Sequence, residues 1–206
     1  MPGALAIISE TMLAFQSSGL TDAASEMYCC FNGNEQAIAK SLCPSKAQII
    51  MHGMDSFAEN LTLVEIEKWA KTHPDWYVFY GHAKGATHVP ASDYAQFAGR
   101  WRRCMLKKNV HEWRNAVNIL GQGYDAVGCH FLHHMCDGTQ HYFAGNYWWA
   151  NSNFLRNLPS IYARERIKVS GIASPESRYE AEVWIGNGGV PYVKDLETTH
   201  GFAGCP

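Results

Sequence analysis

Apolar and polar positions follow two regimes along the chain. In the first half, short apolar runs at Ala4–Ile8, Glu26–Phe31, Ala47–Met51 and Trp76–Tyr80 read as strands. Between them, Thr11–Ser17, Glu35–Leu42 and a segment opening at Thr62 read as helices. Thr62-x-x-Glu65 has the form of a capping box, in which the hydroxyl accepts the Glu65 amide and the carboxylate reaches back. Beyond it Leu63, Ile66, Trp69 and Ala70 fall on one side, and Pro74 ends the run. In the second half, Asp93–Lys107 carries Tyr94, Phe97, Trp101 and Met105 on one helical face, and His111–Leu120 also reads as a helix. Tyr124–His130 and the ring-crowded His141–Ala150 read as strands, and Asn153–Leu158 as a short helix stopped by Pro159. Ser174 and Pro175 open a last helix on which Arg178 and Glu182 share a face. Gly186–Gly189 ends that helix, and the tail beyond is expected to be loosely structured.

Alternation of strand and helix implies an α/β fold with a mostly parallel central sheet flanked by helices. Ligands of such sheets sit beyond the carboxyl ends of the strands. No repeat, low-complexity tract or Pro/Ser linker divides the 206 residues, so one domain is expected.

Charge and composition narrow the partners. Lys+Arg 17 against Asp+Glu 19, net −2, supplies no concentrated basic surface, so a nucleic-acid partner is not expected. No apolar run approaches the ~18–20 residues that span a bilayer, so an integral membrane protein is not expected either. The Ala4–Ile8 run is too short for a secretory signal and has no basic flank. Seven cysteines without a Cys-x-x-Cys pair suggest reduced thiols and a cytoplasmic location. Aromatic residues, 13% of the chain, change the picture most, because flat rings suit sugars and bases as well as cores.

Four segments could carry chemistry. After Tyr80 runs Gly81-His82-Ala83-Lys84-Gly85-Ala86-Thr87-His88. Its glycines permit close backbone approach and its cations suit a diphosphate, although the same pattern makes an ordinary surface turn. It is not a Walker A loop. Cys129 to Asp137, with His141, contains His130, His133 and His134, which read either as zinc ligands or as a hydrophilic turn. In Gly145-Asn146-Tyr147-Trp148-Trp149-Ala150, adjacent tryptophans on a strand face opposite ways, so one can be core while the other lines a cleft. Asn146 offers both donor and acceptor to a hydroxyl. Glu182 reads as a surface partner of Arg178 or as a general base held by it, with Asp137 and Glu180 as competing carboxylates. No Gly-x-Ser-x-Gly elbow and no Gly-x-Gly-x-x-Gly after the first strand is present.

Leu13–Ala23, Tyr77–Gly85, Tyr124–Gly128, His141–Pro159 and Arg178–Gly186, in that order, resemble small bacterial and viral glycosyltransferase-like proteins of the GT-A fold. The most specific of these blocks is Gly145 to Trp149. The resemblance implies a Rossmann-like nucleotide-diphospho-sugar transferase, with a nucleotide-binding half over about 1–90 and an acceptor-binding half over about 91–206. Its donor would be a nucleotide sugar and its acceptor a glycan or lipid-linked glycan. His82, Lys84, Gly85 and His88 would hold the donor. His141, Gly145, Asn146, Trp148, Trp149, Arg178 and Trp184 would line the sugar or acceptor side. Glu182 would be the base, with Lys84 the second catalytic group.

Most GT-A enzymes hold a divalent metal on an Asp-x-Asp motif, and this chain has none. Charge on the leaving diphosphate must still be neutralised. Lys84 with His82 or His88 is expected to do it, with no cofactor required, while a bound Mn²⁺ or Mg²⁺ is the other route. Two further readings stand beside the transferase: a non-catalytic carbohydrate- or nucleotide-binding module, and a zinc-dependent hydrolase built on His130, His133, His134 and His141.

Overall fold

A computed structural model describes residues 2–31, 36–52, 58–84, 86, 92–133, 141–161 and 179–197. In chain order the elements begin with α1 (Pro2–Ser17), α2 (Leu20–Ala23), β1 (Tyr28–Phe31), α3 (Gln36–Leu42), β2 (Gln48–Met51), α4 (Ala58–Thr72) and β3 (Tyr77–Tyr80). They continue with α5 (Asp93–Leu106), a π-helical turn (Lys107–His111), α6 (Trp113–Leu120), β4 (Ala126–Gly128), β5 (Phe131–Leu132) and β6 (Tyr142–Phe143). The last are β7 (Trp148–Asn151), α7 (Ser152–Leu155), α8 (Tyr179–Val183), a 3-10 turn (Trp184–Gly186) and β8 (Val193–Asp195). These elements belong to two compact units. The first is drawn from Met1–Ala58 and Ala83–Trp113, the second from Glu59–His82 and Arg114–His200.

In the first unit, Ala4–Ile8 is not a strand but part of α1. A short apolar run fits either state, and here Ala, Leu and Met, all strong helix formers, continue the turn. Gly19, at φ 72, ends the helix with a left-handed cap. β1 and β2 pair in parallel, with Tyr28 opposite Gln48 and Phe31 opposite Met51. Cys104 on α5 is disulfide-bonded, which departs from the expectation of reduced thiols throughout. Cys29, Cys30, Cys43 and Cys129 are not disulfide-bonded.

In the second unit, α4 starts at Ala58, so Thr62 lies inside the helix rather than at its cap. Glu59 occupies the first turn, where its charge complements the helix dipole. The four-stranded sheet has the order β3-β7-β4-β8, and β5 pairs only with β6. Of its three pairings only β4 with β8 is parallel; β7 runs antiparallel to both neighbours. The expected GT-A-like, mostly parallel central sheet is therefore overturned: among the described residues the sheets are small, with two, four and two strands. The physical cause lies within His141–Ala150, which reads as one strand but folds as two. Gly145 (φ 86) and Asn146 (φ 55) both adopt the left-handed region, turn the chain, and send β7 back against β3.

Within the tail, residues 192–197 are more ordered than expected. Asp125 N–H donates to the Tyr192 carbonyl at 2.8 Å, and Leu196 N–H to that of Gly128 at 2.7 Å, which docks β8 beside β4. Every residue of β4 is buried, as are Trp148, Trp149 and Ala150 of β7. Central strands covered on both faces read as continuous apolar runs. Around them Leu63, Phe143, Leu155, Trp184 and Ile185 complete the core. Among the described residues no helix is long and apolar enough to cross a membrane.

Candidate functional site

The β3–β7 register sets Tyr80 opposite Trp148 and Phe79 opposite Trp149. Because the strands are antiparallel, the chain leaving Tyr80 runs beside the chain arriving at Trp148. His82 consequently meets the Gly145–Tyr147 turn. Its Nε2 lies 2.9 Å from the Gly145 carbonyl oxygen. A carbonyl only accepts, so Nε2 carries the proton and donates. The Tyr147 hydroxyl donates to the His82 carbonyl, which closes the contact from the other side. The imidazole stacks with the Tyr80 ring, 6.4 Å between centroids and 10° between planes.

The other imidazole nitrogen, Nδ1, lies 3.7 Å from Glu59 Oε1. That oxygen accepts from Asn146 Nδ2 at 2.7 Å. Asn146 is fully buried, and its Oδ1 accepts the Trp148 indole N–H at 2.8 Å. With both ends of the carboxamide engaged, the Glu59 carboxylate is held in one orientation. His82 and Glu59 each keep about a quarter of their side-chain surface open to solvent, 26% and 23%. A separation of 3.7 Å exceeds a direct hydrogen bond. His82 Nδ1 and Glu59 Oε1 thus face each other as two acceptors that solvent can reach.

Lys84 belongs to the first unit. Its Nζ sits 4.4 Å above the centre of the Trp101 ring. Arg102, a buried residue of α5, donates from Nη1 to the Lys84 carbonyl at 2.8 Å. The same guanidinium grips Glu10 of α1 through Nε at 3.0 Å and Nη2 at 2.5 Å. The backbone of Lys84 is therefore set by a fork from α5 that α1 in turn secures.

The structure places the other site residues as follows. Trp148, Trp149 and Trp184 are all buried. Trp148 packs against Tyr80 and Trp184, Trp149 against Phe79, and the Trp184 indole donates to the Pro159 carbonyl at 3.1 Å. The two adjacent tryptophans do face opposite sides of β7, with core on both. Half-buried His141 lies beside β6, and half-buried Glu182 lies on α8. Gly85, His88, His134, Asp137 and Arg178 lie outside the described residues, as does the side chain of Glu180.

Asp195 forms a second polar centre at the end of β4. Its Oδ1 accepts from the His130 amide at 2.9 Å and its Oδ2 from that of Phe131 at 3.0 Å. His130 adopts φ 59 to present its amide this way. Burial pushes the Asp195 carboxyl up, and the amides of Glu197, Phe131 and His130 only partly offset this. Among the described residues no group of three or more His, Cys, Asp or Glu is placed to hold a metal ion.

Sequence reasoning missed Glu59 and Asp195. A carboxylate in the first turn of a helix is ordinary helix chemistry, so nothing local marks Glu59. Only its pairing with Asn146, 87 positions away, does so. No protein-family model, curated protein or solved structure matches this chain.

Proposed function

We propose that the protein transfers a sugar from a nucleotide-diphosphate donor to a hydroxyl of a glycan or lipid-linked glycan in the cytoplasm. One observation supports this reading above the rest. Two of the segments that resemble glycosyltransferase-like proteins, those carrying Tyr77–His82 and the Gly145–Trp149 block, meet through β3 and β7 around a solvent-open His82–Glu59 pair. In this reading the acceptor hydroxyl donates its hydrogen bond to Glu59 Oε1, beside the His82 ring. Glu59 takes its proton as the oxygen attacks the anomeric carbon, and the carbon–oxygen bond to the diphosphate breaks with the electron pair leaving on the phosphate. Asn146 keeps Glu59 in place, and Gly145 keeps the proton of His82 on Nε2. Lys84 is proposed as a diphosphate ligand from the composition of its loop, and Glu182 stands as the competing base.

The test is release of nucleoside diphosphate from UDP-, GDP-, dTDP-, CDP- and ADP-sugars, with EDTA and with Mn²⁺. Glu59→Gln should lower kcat by about 10²–10⁴, the usual range for a general base, with the donor KM little changed. A fall of that size in Glu182→Gln but not in Glu59→Gln would move the base to Glu182. Donor binding without turnover in any condition would replace the transferase with a binding module.

A further inference from the structure

We propose that His133 and His141 form a two-histidine clasp for a borderline divalent cation such as Zn²⁺. The site follows from the hairpin register. Phe131 is opposite Phe143 and Leu132 opposite Tyr142. One step further along the same antiparallel ladder, His133 falls directly opposite His141. Side chains two positions apart on a strand share a face, so the histidine pair continues the Phe131–Phe143 pair toward solvent. The ring contacts agree: the His133 ring meets Phe131 edge-on at 5.1 Å, and the His141 ring lies parallel to it at 6.3 Å. Phe131 and Phe143 are buried, whereas His133 is exposed and His141 half-buried. The apolar end of the face therefore anchors the hairpin and leaves the imidazoles at its open end.

The two Nδ1 atoms are 3.2 Å apart. Two zinc–nitrogen bonds of ~2.0–2.1 Å at a tetrahedral angle place their nitrogens about 3.3 Å apart. The pair is thus already spaced as two ligands of one ion. Without metal, one Nδ1 donates and the other accepts, so the pair holds one proton between the nitrogens. A bound cation replaces that proton, which moves to Nε2 of the same ring, so both imidazoles ligate as neutral rings through Nδ1. The His141 carbonyl also packs closely on Gly186, 1.9 Å from where a Cβ there would stand. The described residues contribute two ligands, and water completes the coordination. The inference does not depend on glycosyl transfer.

The test is calorimetric titration of the full-length chain with ZnCl₂, together with electron paramagnetic resonance of the Cu²⁺-loaded chain. One equivalent of Zn²⁺ should bind, and His133→Gln and His141→Gln should each weaken binding about tenfold or more. The Cu²⁺ spectrum should show coupling to two imidazole nitrogens in the parent and to one in each variant. Parent-like affinity in the double variant would place the metal elsewhere and overturn the clasp. Absence of imidazole coupling in the parent would overturn it without any variant. Metal-free thermal unfolding of each variant establishes that lost binding is not lost folding.

Discussion

Asn146 and Glu59, 87 positions apart in sequence, are joined by a 2.7 Å hydrogen bond from the carboxamide to the carboxylate. The bond matters because the other end of the same carboxamide receives the Trp148 indole. One side chain thus ties the partly exposed Glu59 carboxylate to the buried core.

Asn146→Ala should therefore destabilise the protein. It leaves the buried indole N–H without its acceptor and places a Cβ-bearing residue without a local polar contact at φ 55. Together these should cost roughly 2–5 kcal/mol, read as a lower urea midpoint at unchanged slope. Asn146→Gly loses the same bonds but relaxes the backbone, so its loss should be smaller. Equal midpoints for the two variants would remove the backbone part of this account.

Gly186 and Gly99 should respond to alanine in opposite directions. A Cβ at Gly186 would meet the backbone of His141 at 1.9 Å, and backbone cannot swing aside. Gly186→Ala should cost several kcal/mol, at or beyond the ~1–3 kcal/mol typical of overpacking. At Gly99, inside α5, the nearest atom would be the end of the Arg103 side chain at 3.5 Å. Gly99→Ala should be neutral or stabilise by up to about 1 kcal/mol through helix propensity. Thermal unfolding of the two variants side by side checks both.

Glu67 should make the protein sensitive to acid. Burial pushes its carboxyl up, but hydrogen bonds from Lys71, the Ile161 amide and Ser160 outweigh this and hold it below the ordinary carboxylate value. A carboxyl lowered on folding adds stability above the unfolded value, near ~4.3. That contribution fades as the pH falls from there through the lowered folded value. The stability difference between the parent and Glu67→Gln should be about 1–2 kcal/mol at pH 7 and shrink below pH ~4. A difference that stays constant from pH 7 to pH 3 would contradict the assignment.

Arg102 should act on Lys84 without touching substrate. Lysine at position 102 keeps the charge but loses the fork that holds both Glu10 and the Lys84 carbonyl. If Lys84 grips a donor diphosphate, Arg102→Lys should raise the donor KM about three- to tenfold and leave kcat within about twofold. Lys84→Ala should raise the same KM at least as far. A fall in kcat alone would mean that the fork supports the fold and not the lysine.

Several elements were legible in the sequence because their signals are local. Tyr77–Tyr80 and Gln48–Met51 are short β-prone runs, and the apolar stripe from Phe97 through Trp101 to Met105 marks α5. What was not legible depends on tertiary partners. Alternating strands and helices suggest a parallel sheet, but two left-handed residues inside one apolar run reversed a strand and changed the sheet's direction. Position could pick out His82 in a glycine-flanked loop and Asn146 beside two tryptophans. It could not show that Glu59 stands between them, since a helix-opening carboxylate serves its own helix equally well. The tryptophans suggested sugar faces because composition does not distinguish a ring that lines a cleft from one that fills a core.

The docking of β8 has a consequence for where the chain can be shortened. Three residues, Val193–Asp195, cover one side of β4 while Asp195 ties off its end through the amides of His130 and Phe131. A protein cut after Pro191 would leave β4 with a bare row of amides and carbonyls along an apolar strand, open to pairing with another chain. A segment that reads as a dispensable trailer thus acts as a seal, and its removal should first be seen as loss of solubility.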